Sequence, residues 1–218
     1  MKRREFSLAV TSVASTLALG ATATAHAQGV APKEGKDYVK LSKPATTEAP
    51  AGKVEVVEFF WYSCPHCNAF EPAFAAWKQK APANVVVRRV PVAFNASFVP
   101  QQKLYFALQA MPNFDAMHVK VFHAIHVERN KLASDDAIFE WVGKQGVDVD
   151  VAKFKEAYNS FSVANQVRKA GQLQKEYDVE GVPSMGVAGK FYTDGPRAGS
   201  MQNVLNVVGY LAEQSRKA

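Results

Sequence analysis

Cysteine is nearly absent from this chain: Cys64 and Cys67 are the only two in 218 residues, and two positions separate them. A loop that short restrains almost none of the unfolded chain, so the pair is no folding staple and calls for a chemical explanation. A second C-x-x-C is missing, and two thiolates alone leave a tetrahedral zinc short of ligands. Once the three basic residues and one acid of the first 27 positions are set aside, 23 Lys and Arg stand against 19 Asp and Glu, with no polybasic run, internal repeat or low-complexity stretch. So mild an excess gives no electrostatic footprint for nucleic acid. What is present is apolar material, 48% of residues. At this length that suits one domain, or one domain carrying an insertion.

The N-terminus has its own grammar. A basic start (Lys2, Arg3, Arg4), an uncharged small and apolar stretch from Leu8 to Ala25, and Ala25-His26-Ala27 before Gln28 follow the order of a cleaved export signal. The most apolar part is short for a span of roughly 20 residues, which weighs against a membrane anchor. Arg3-Arg4-Glu5-Phe6 also resembles the twin-arginine pattern, so the choice of translocon stays open. Residues 1–27 are therefore expected to be a signal peptide, with the mature protein outside the cytoplasm.

Residues 28–52 read as an extended arm with a short edge strand near Tyr38 to Leu41. The run over 54–60 is apolar on successive residues and predicts a central strand covered on both faces. A helix follows over 65–80, with Pro65 at its first position, a buried stripe of Phe70, Phe74 and Trp77, and an internal Pro72 expected to kink it. A second strand occupies 85–92. From about Ser97 to Gly171 the pattern is helical: Leu104 and Leu108 mark one helix, and Val119, Phe122 and His126 with Ile125 another. Ser134 caps a third helix, a short one covers 151–158, and a longer one runs over 163–177 with Ser162 at its N-cap. A hairpin over 183–193 and a last helix from Ser200, with Val204, Val207, Val208 and Leu211 on one face, close the chain. The order is β-α-β, helices, β-β-α.

Cys64-Pro65-His66-Cys67 thus sits where a strand hands over to a helix. The helix dipole and the free N–H groups of its first turn favour an anion there, so Cys64 is expected to ionise below its ordinary range. Cys67, one turn further in, is expected to be more buried and to keep its proton. Cys64 is then the sulfur offered to other proteins, and Cys67 the one that closes the internal disulfide. An imidazolium at His66 would add to the effect. Each unit by which the thiol pKa falls below ambient pH favours the reduced protein by ~1.4 kcal/mol, or ~30 mV for a two-electron couple. A stabilised thiolate makes an oxidant.

At these residues the chain resembles the DsbA family of periplasmic thiol:disulfide oxidoreductases. Phe59-Phe60 leads to Cys64-Pro65-His66-Cys67, Phe70-Glu71 follows, Pro72 matches the kinking proline of thioredoxins, and Gly181-Val182-Pro183 looks like the cis-proline loop that faces the cysteines. The resemblance covers essentially the whole mature chain. It implies an α/β thioredoxin fold over 28–97 and 171–218 with an all-helical domain inserted over 98–170. It also implies Val182 and Pro183 as substrate-binding residues and Glu58 as a buried acid able to influence proton transfer, a solvated strand residue being the other reading. Glu71 is the second candidate for tuning the thiols, although a surface helical glutamate is the plainer reading. Reduced exported proteins are the implied substrates, with reoxidation by a quinone-linked inner-membrane protein of the DsbB type. No metal or organic cofactor is implied, and a monomer is expected. The lead-in Trp61-Tyr62-Ser63 and the segment 195–199 depart from the family pattern and affect the substrate surface rather than the reaction.

Other readings have distinguishing marks. The alternative within enzymes is an isomerase or reductase; an isomerase of the DsbC type would carry an N-terminal dimerisation domain, for which 28–52 is too short. A metal-binding C-x-x-C chaperone needs further ligands. Of His118, His123 and His126, only His123 and His126 have helical ligand spacing, and they read as polar-face or packed histidines. A peptide-binding chaperone would work without either cysteine.

Overall fold

The computed structural model describes residues 31–146 and 149–217; the expected signal peptide lies outside them. In chain order the elements are β1 Val39–Lys40, β2 Val54–Phe60, α1 Pro65–Lys80, β3 Val85–Pro91, a 3-10 turn Ala96–Phe98, α2 Val99–Gln109, α3 Phe114–His126, α4 Asp135–Gly143, α5 Val151–Tyr158, α6 Phe161–Glu176, β4 Ser184–Val187, β5 Phe191–Asp194, α7 Gly195–Ala198 and α8 Met201–Lys217. Among the described residues five strands form one sheet in the order β1-β5-β4-β2-β3. β2 is parallel to β3 and antiparallel to β4. This is the thioredoxin-like mixed sheet, with α2 to α6 between its two halves.

All seven residues of β2 are buried, which is why its sequence lacks the alternation of a half-exposed strand. Val54 and Val56 meet Phe70 and Phe74 of α1 and Val204, Val207 and Val208 of α8. Val57 and Phe59 face the other way, toward Leu104 of α2 and Leu173 of α6. On that side the chain comes very close to the sheet: a Cβ on Gly186 would lie 2.3 Å from the Tyr177 ring, which leaves room for glycine alone. Charges on β2 survive only with partners. Glu55, 1% exposed, takes Arg88 at 3.2 Å, and Arg88 also reaches Glu48 at 3.0 Å.

Several expectations need correction. Val119 is 58% exposed and lies off the buried stripe of α3, which runs through Met117, His118, Val121, Phe122 and Ala124. Trp77 is only partly buried. The cap of α6 is Ser160, whose hydroxyl accepts from Val163 N–H, not Ser162 two residues inside the helix. Phe161 on the first turn is exposed and adds nothing to the buried face of the helix. The short helix α7 was not anticipated.

The cap assignment separates two nearby serines. Ser160→Ala should cost about 1 kcal/mol, while Ser162→Ala should stay within about 0.5 kcal/mol of wild type. Urea midpoints at an unchanged slope give both numbers.

Candidate active site

α1 starts at the cysteines because Cys64 keeps an extended backbone (φ −80°, ψ 117°) and Pro65 opens the helix. The Cys64 sulfur takes the place of a capping oxygen: it accepts the Cys67 N–H at 3.3 Å. It also lies 3.4 Å from the Val182 carbonyl, to which its S–H donates. Both thiols are free, and the Val182-Pro183 bond is cis. Cys64 is 7% exposed against 1% for Cys67. The expected ranking of the two holds, but the outer sulfur is sheltered rather than openly displayed. His66 and Pro65 are exposed beside it. A groove of about 360 Å³ runs from His66 past Val182 and Pro183 to Gly195, Pro196 and Met201.

The two sulfurs are driven apart electrostatically. Cys64 falls from its ordinary value to about 6: the hydrogen bond from the Cys67 thiol does most, against the opposing effect of burial, and the backbone N–H groups of Cys67 and His66 follow. The charge of His66 contributes least of these, so the neighbouring thiol and not the imidazolium leads. Burial pushes Cys67 far up, and the hydrogen bond and charge of Cys64 and the charge of Glu58 push in the same direction.

Beneath the thiols lies a buried charge cluster. The parallel register sets Glu58 beside Arg89, whose Nε donates to Glu58 Oε2 at 3.0 Å. A second guanidinium nitrogen donates to Glu71 Oε1. Arg89 also lies over the Phe74 ring, 5.1 Å from its centroid. Glu58 is 1% exposed, so the solvated reading is wrong; Glu71 is 9% exposed, so the surface reading is wrong too. Glu71 follows Cys67 by four residues and shares the helix face that carries Phe70 and Phe74 inward. Burial raises Glu58 to about 8, partly offset by the Arg89 charge and reinforced by that of Glu71. A carboxyl raised on folding stabilises fully below its unfolded pKa, and this contribution is lost as pH rises through about 8.

Other candidates fall elsewhere. His123 pairs with Glu128 at 3.1 Å, and His126 Nε2 donates to the Tyr62 carbonyl at 2.8 Å. No group of three or more His, Cys, Asp or Glu among the described residues is arranged to hold a metal. Trp61 stacks on Phe98 at 4.1 Å, and Tyr62 is fully buried. Sequence reasoning missed Arg89, His118 as a neighbour of the cluster, and Gln101, whose amide donates to Ser63 Oγ at 2.7 Å and steadies the residue before Cys64. A signal for Arg89 was available: a cation on an apolar strand next to one that carries Glu58.

The family profile described as DSBA-like thioredoxin domain matches residues 55–206. The chain belongs to the DsbA family. The thiol:disulfide interchange protein DsbA of Burkholderia cepacia is 42% identical over 199 residues, which cover 91% of this chain and 93% of that protein. Its counterpart in Bordetella pertussis is 43% identical over 208 residues, 95% and 97% of the two chains. The crystal structure of Pseudomonas aeruginosa DsbA superposes with a TM-score of 0.79 at 41% identity, covering 84% of this chain and 94% of that one. Oxidoreductase DsbA from Xylella fastidiosa gives 0.77 at 27% identity over 86% and 99%. As a DsbA-family member the chain is a thiol:disulfide oxidoreductase on a thioredoxin fold.

Arg89 is what makes two buried acids tolerable side by side. Arg89→Met should cost about 3–5 kcal/mol at pH 7. Without the cation Glu58 gives up its proton only at still higher pH, so the loss should grow as pH rises through about 8. Chemical denaturation at pH 7 and pH 9 measures both parts.

Proposed function

We propose that this chain is a periplasmic dithiol oxidase that gives its Cys64–Cys67 disulfide to newly exported proteins. The observation that carries the reading is the split between the sulfurs, with Cys64 lowered to about 6 and Cys67 raised. Thiolate stabilisation favours the reduced protein, and a protein that favours being reduced oxidises others. In the reaction a client thiolate attacks Cys64, and Cys67 leaves as thiolate and takes up a proton. A second client thiolate then attacks the client sulfur of the mixed disulfide. The client leaves oxidised by two electrons, and Cys64 departs as a stabilised thiolate.

The residues around the pair divide the remaining work. Val182 presents its backbone beside Cys64, and with Pro183 it borders the groove in which an extended client segment can lie. Glu58 and Glu71 tune the proton affinity of the inner thiol through Arg89. A quinone-linked inner-membrane protein of the DsbB type takes the electrons from the reduced enzyme. The signal pattern in residues 1–27 supports export, and a monomer suffices for every step.

Cys64→Ala should abolish oxidation of a reduced client. Cys67→Ala should leave a nucleophile that accumulates mixed disulfides, visible on non-reducing gels. Adducts formed by Cys64→Ala through Cys67 would reverse the assignment.

The energetic counterpart is a dithiol form that melts above the disulfide form at neutral pH. A thiol depressed on folding stabilises fully above its unfolded pKa, and that stability is lost as pH falls through about 6. Below about pH 8 the difference between the two forms isolates Cys64, since the slope from Glu58 is common to both and Cys67 keeps its proton folded or unfolded. It should be on the order of 1 kcal/mol at pH 7, after allowing for solvent screening at the mouth of the site. Paired calorimetry from pH 5 to pH 9 reads it; a disulfide form that melts higher throughout would remove the argument for an oxidant.

A further inference from the structure

Besides the two cysteines the chain carries sulfur at five methionines, of which Met1 lies in the expected signal peptide. Met117 and Met185 are 0% exposed and out of reach of solutes. Met111 and Met201 are partly exposed, and their surroundings differ. Met111 packs against the core of the helical segment. Met201 opens α8 and walls the groove of about 360 Å³ together with His66, Val182 and Pro183. A Cβ added to Gly195 would lie 3.1 Å from Met201 Sδ and 3.6 Å from its Cγ, and would meet nothing else beyond its chain neighbours within 4 Å. Gly195 has no positive φ, so the backbone does not demand glycine there. What the missing side chain does is leave that flank of the thioether bare, on the groove that Gly195 itself lines.

We propose that Met201 is an oxidation site that switches the client groove: a two-electron oxidant of the hypochlorous acid class converts its thioether to the sulfoxide, and the sulfoxide weakens client docking. The inference rests on the reading of this groove as the client site. A thioether is apolar and adaptable, which suits a wall that meets varied client side chains. The sulfoxide is polar and chiral. An apolar client side chain offers its oxygen no donor, so docking would strip water from a polar group without replacing the hydrogen bond. In net terms one oxygen passes to the Met201 sulfur, which gives up two electrons; chlorine takes them and leaves as chloride, and one proton is released. The exchanging pair is spared in the oxidising form of the protein. In the Cys64–Cys67 disulfide the two sulfurs are bonded to each other, no thiolate competes for the oxidant, and Met201 is the thioether left open on the groove. Sulfoxide reductases return the thioether, so the change is reversible.

The test treats mature protein in the disulfide form with equimolar hypochlorous acid and maps the added oxygen by peptide mass spectrometry. Oxygen should appear on Met201 ahead of Met111. Gly195→Ala, which sets a methyl against the sulfur, should slow uptake at Met201 alone. With reduced ribonuclease as client, the treated protein should show a KM raised about fivefold at unchanged kcat. Reduction of the Cys64–Cys67 disulfide by dithiothreitol, which is too small to need the groove, should keep its rate. Methionine sulfoxide reductase followed by reoxidation of the cysteines should restore KM. Met201→Leu should show the same KM before and after treatment, and Met201→Gln, a permanent polar substitute, should carry a raised KM from the start. Oxygen on Met111 before Met201, equal uptake in Gly195→Ala, or a sulfoxide that leaves KM in place while Met201→Gln raises it overturns the oxidation site. A dithiothreitol reaction slowed as much as client turnover also overturns it, since the change would then lie at Cys64. If neither the sulfoxide nor Met201→Gln moves KM, the groove is not the client site and the reading beneath the inference fails.

Discussion

Everything in this fold answers to a strand with no free face. β2 contributes seven buried residues, so it needs α1 and α8 against one side and the helical segment against the other. It also has to deliver its C-terminal end, through Trp61 to Ser63, to a helix whose first N–H groups are not yet used. The chemistry grows from that handover, because an unsatisfied helix start next to a buried strand end is a place where a sulfur gains by losing its proton. The same burial explains the charge pairs. Neither Glu55 nor Glu58 can reach water, so each is matched by an arginine one strand away, Arg88 on one face and Arg89 on the other. A buried pair of this kind is weak evidence for stability, since apolar residues would serve packing as well or better. On the α1 face its position under two thiols gives it a different value.

The elements near the thiols were legible because each rests on a local signal. A continuous apolar run, a proline at a helix start and a hydrophobic stripe with helical period are properties of neighbouring residues, and so is the spacing of Cys64 and Cys67. What escaped was decided at long range. Glu71 looks like any solvated glutamate on a helix until Arg89, 18 residues on, is placed beside it. His118 lies 56 residues from Tyr62 and its place depends on how α3 packs, which periodicity does not encode. Local rules also misled where residues competed: two serines two positions apart both suit the cap of α6, and the helix starts at the first of them. At Cys64 the helix N–H groups and His66 were legible as stabilising neighbours, but the leading one, the hydrogen bond from the Cys67 thiol, was not, because it depends on a side-chain geometry no sequence gives.

The helical segment is more than a cover for the sheet. α3 grips Tyr62 twice, by its carbonyl through His126 and by its phenol through His118, and Tyr62 is two residues from Cys64. Gln101 of α2 holds Ser63 between them. Tyr62 and Ser63, which lead into Cys64, are thus held by side chains of the helical segment. A disturbance of α3 packing would be felt at the sulfurs without any change in the thioredoxin-like half.

The contact between Cys64 and Val182 has an electrical consequence. With the thiol protonated, its hydrogen occupies the Val182 carbonyl at 3.4 Å. Loss of that proton turns the contact into an anion facing the negative end of a carbonyl dipole, and the loop acceptor is left empty. Arrival of a strand N–H at that carbonyl would screen the anion and fill the vacancy together. Ionisation of the sulfur and release of the loop carbonyl from its donor are therefore one event.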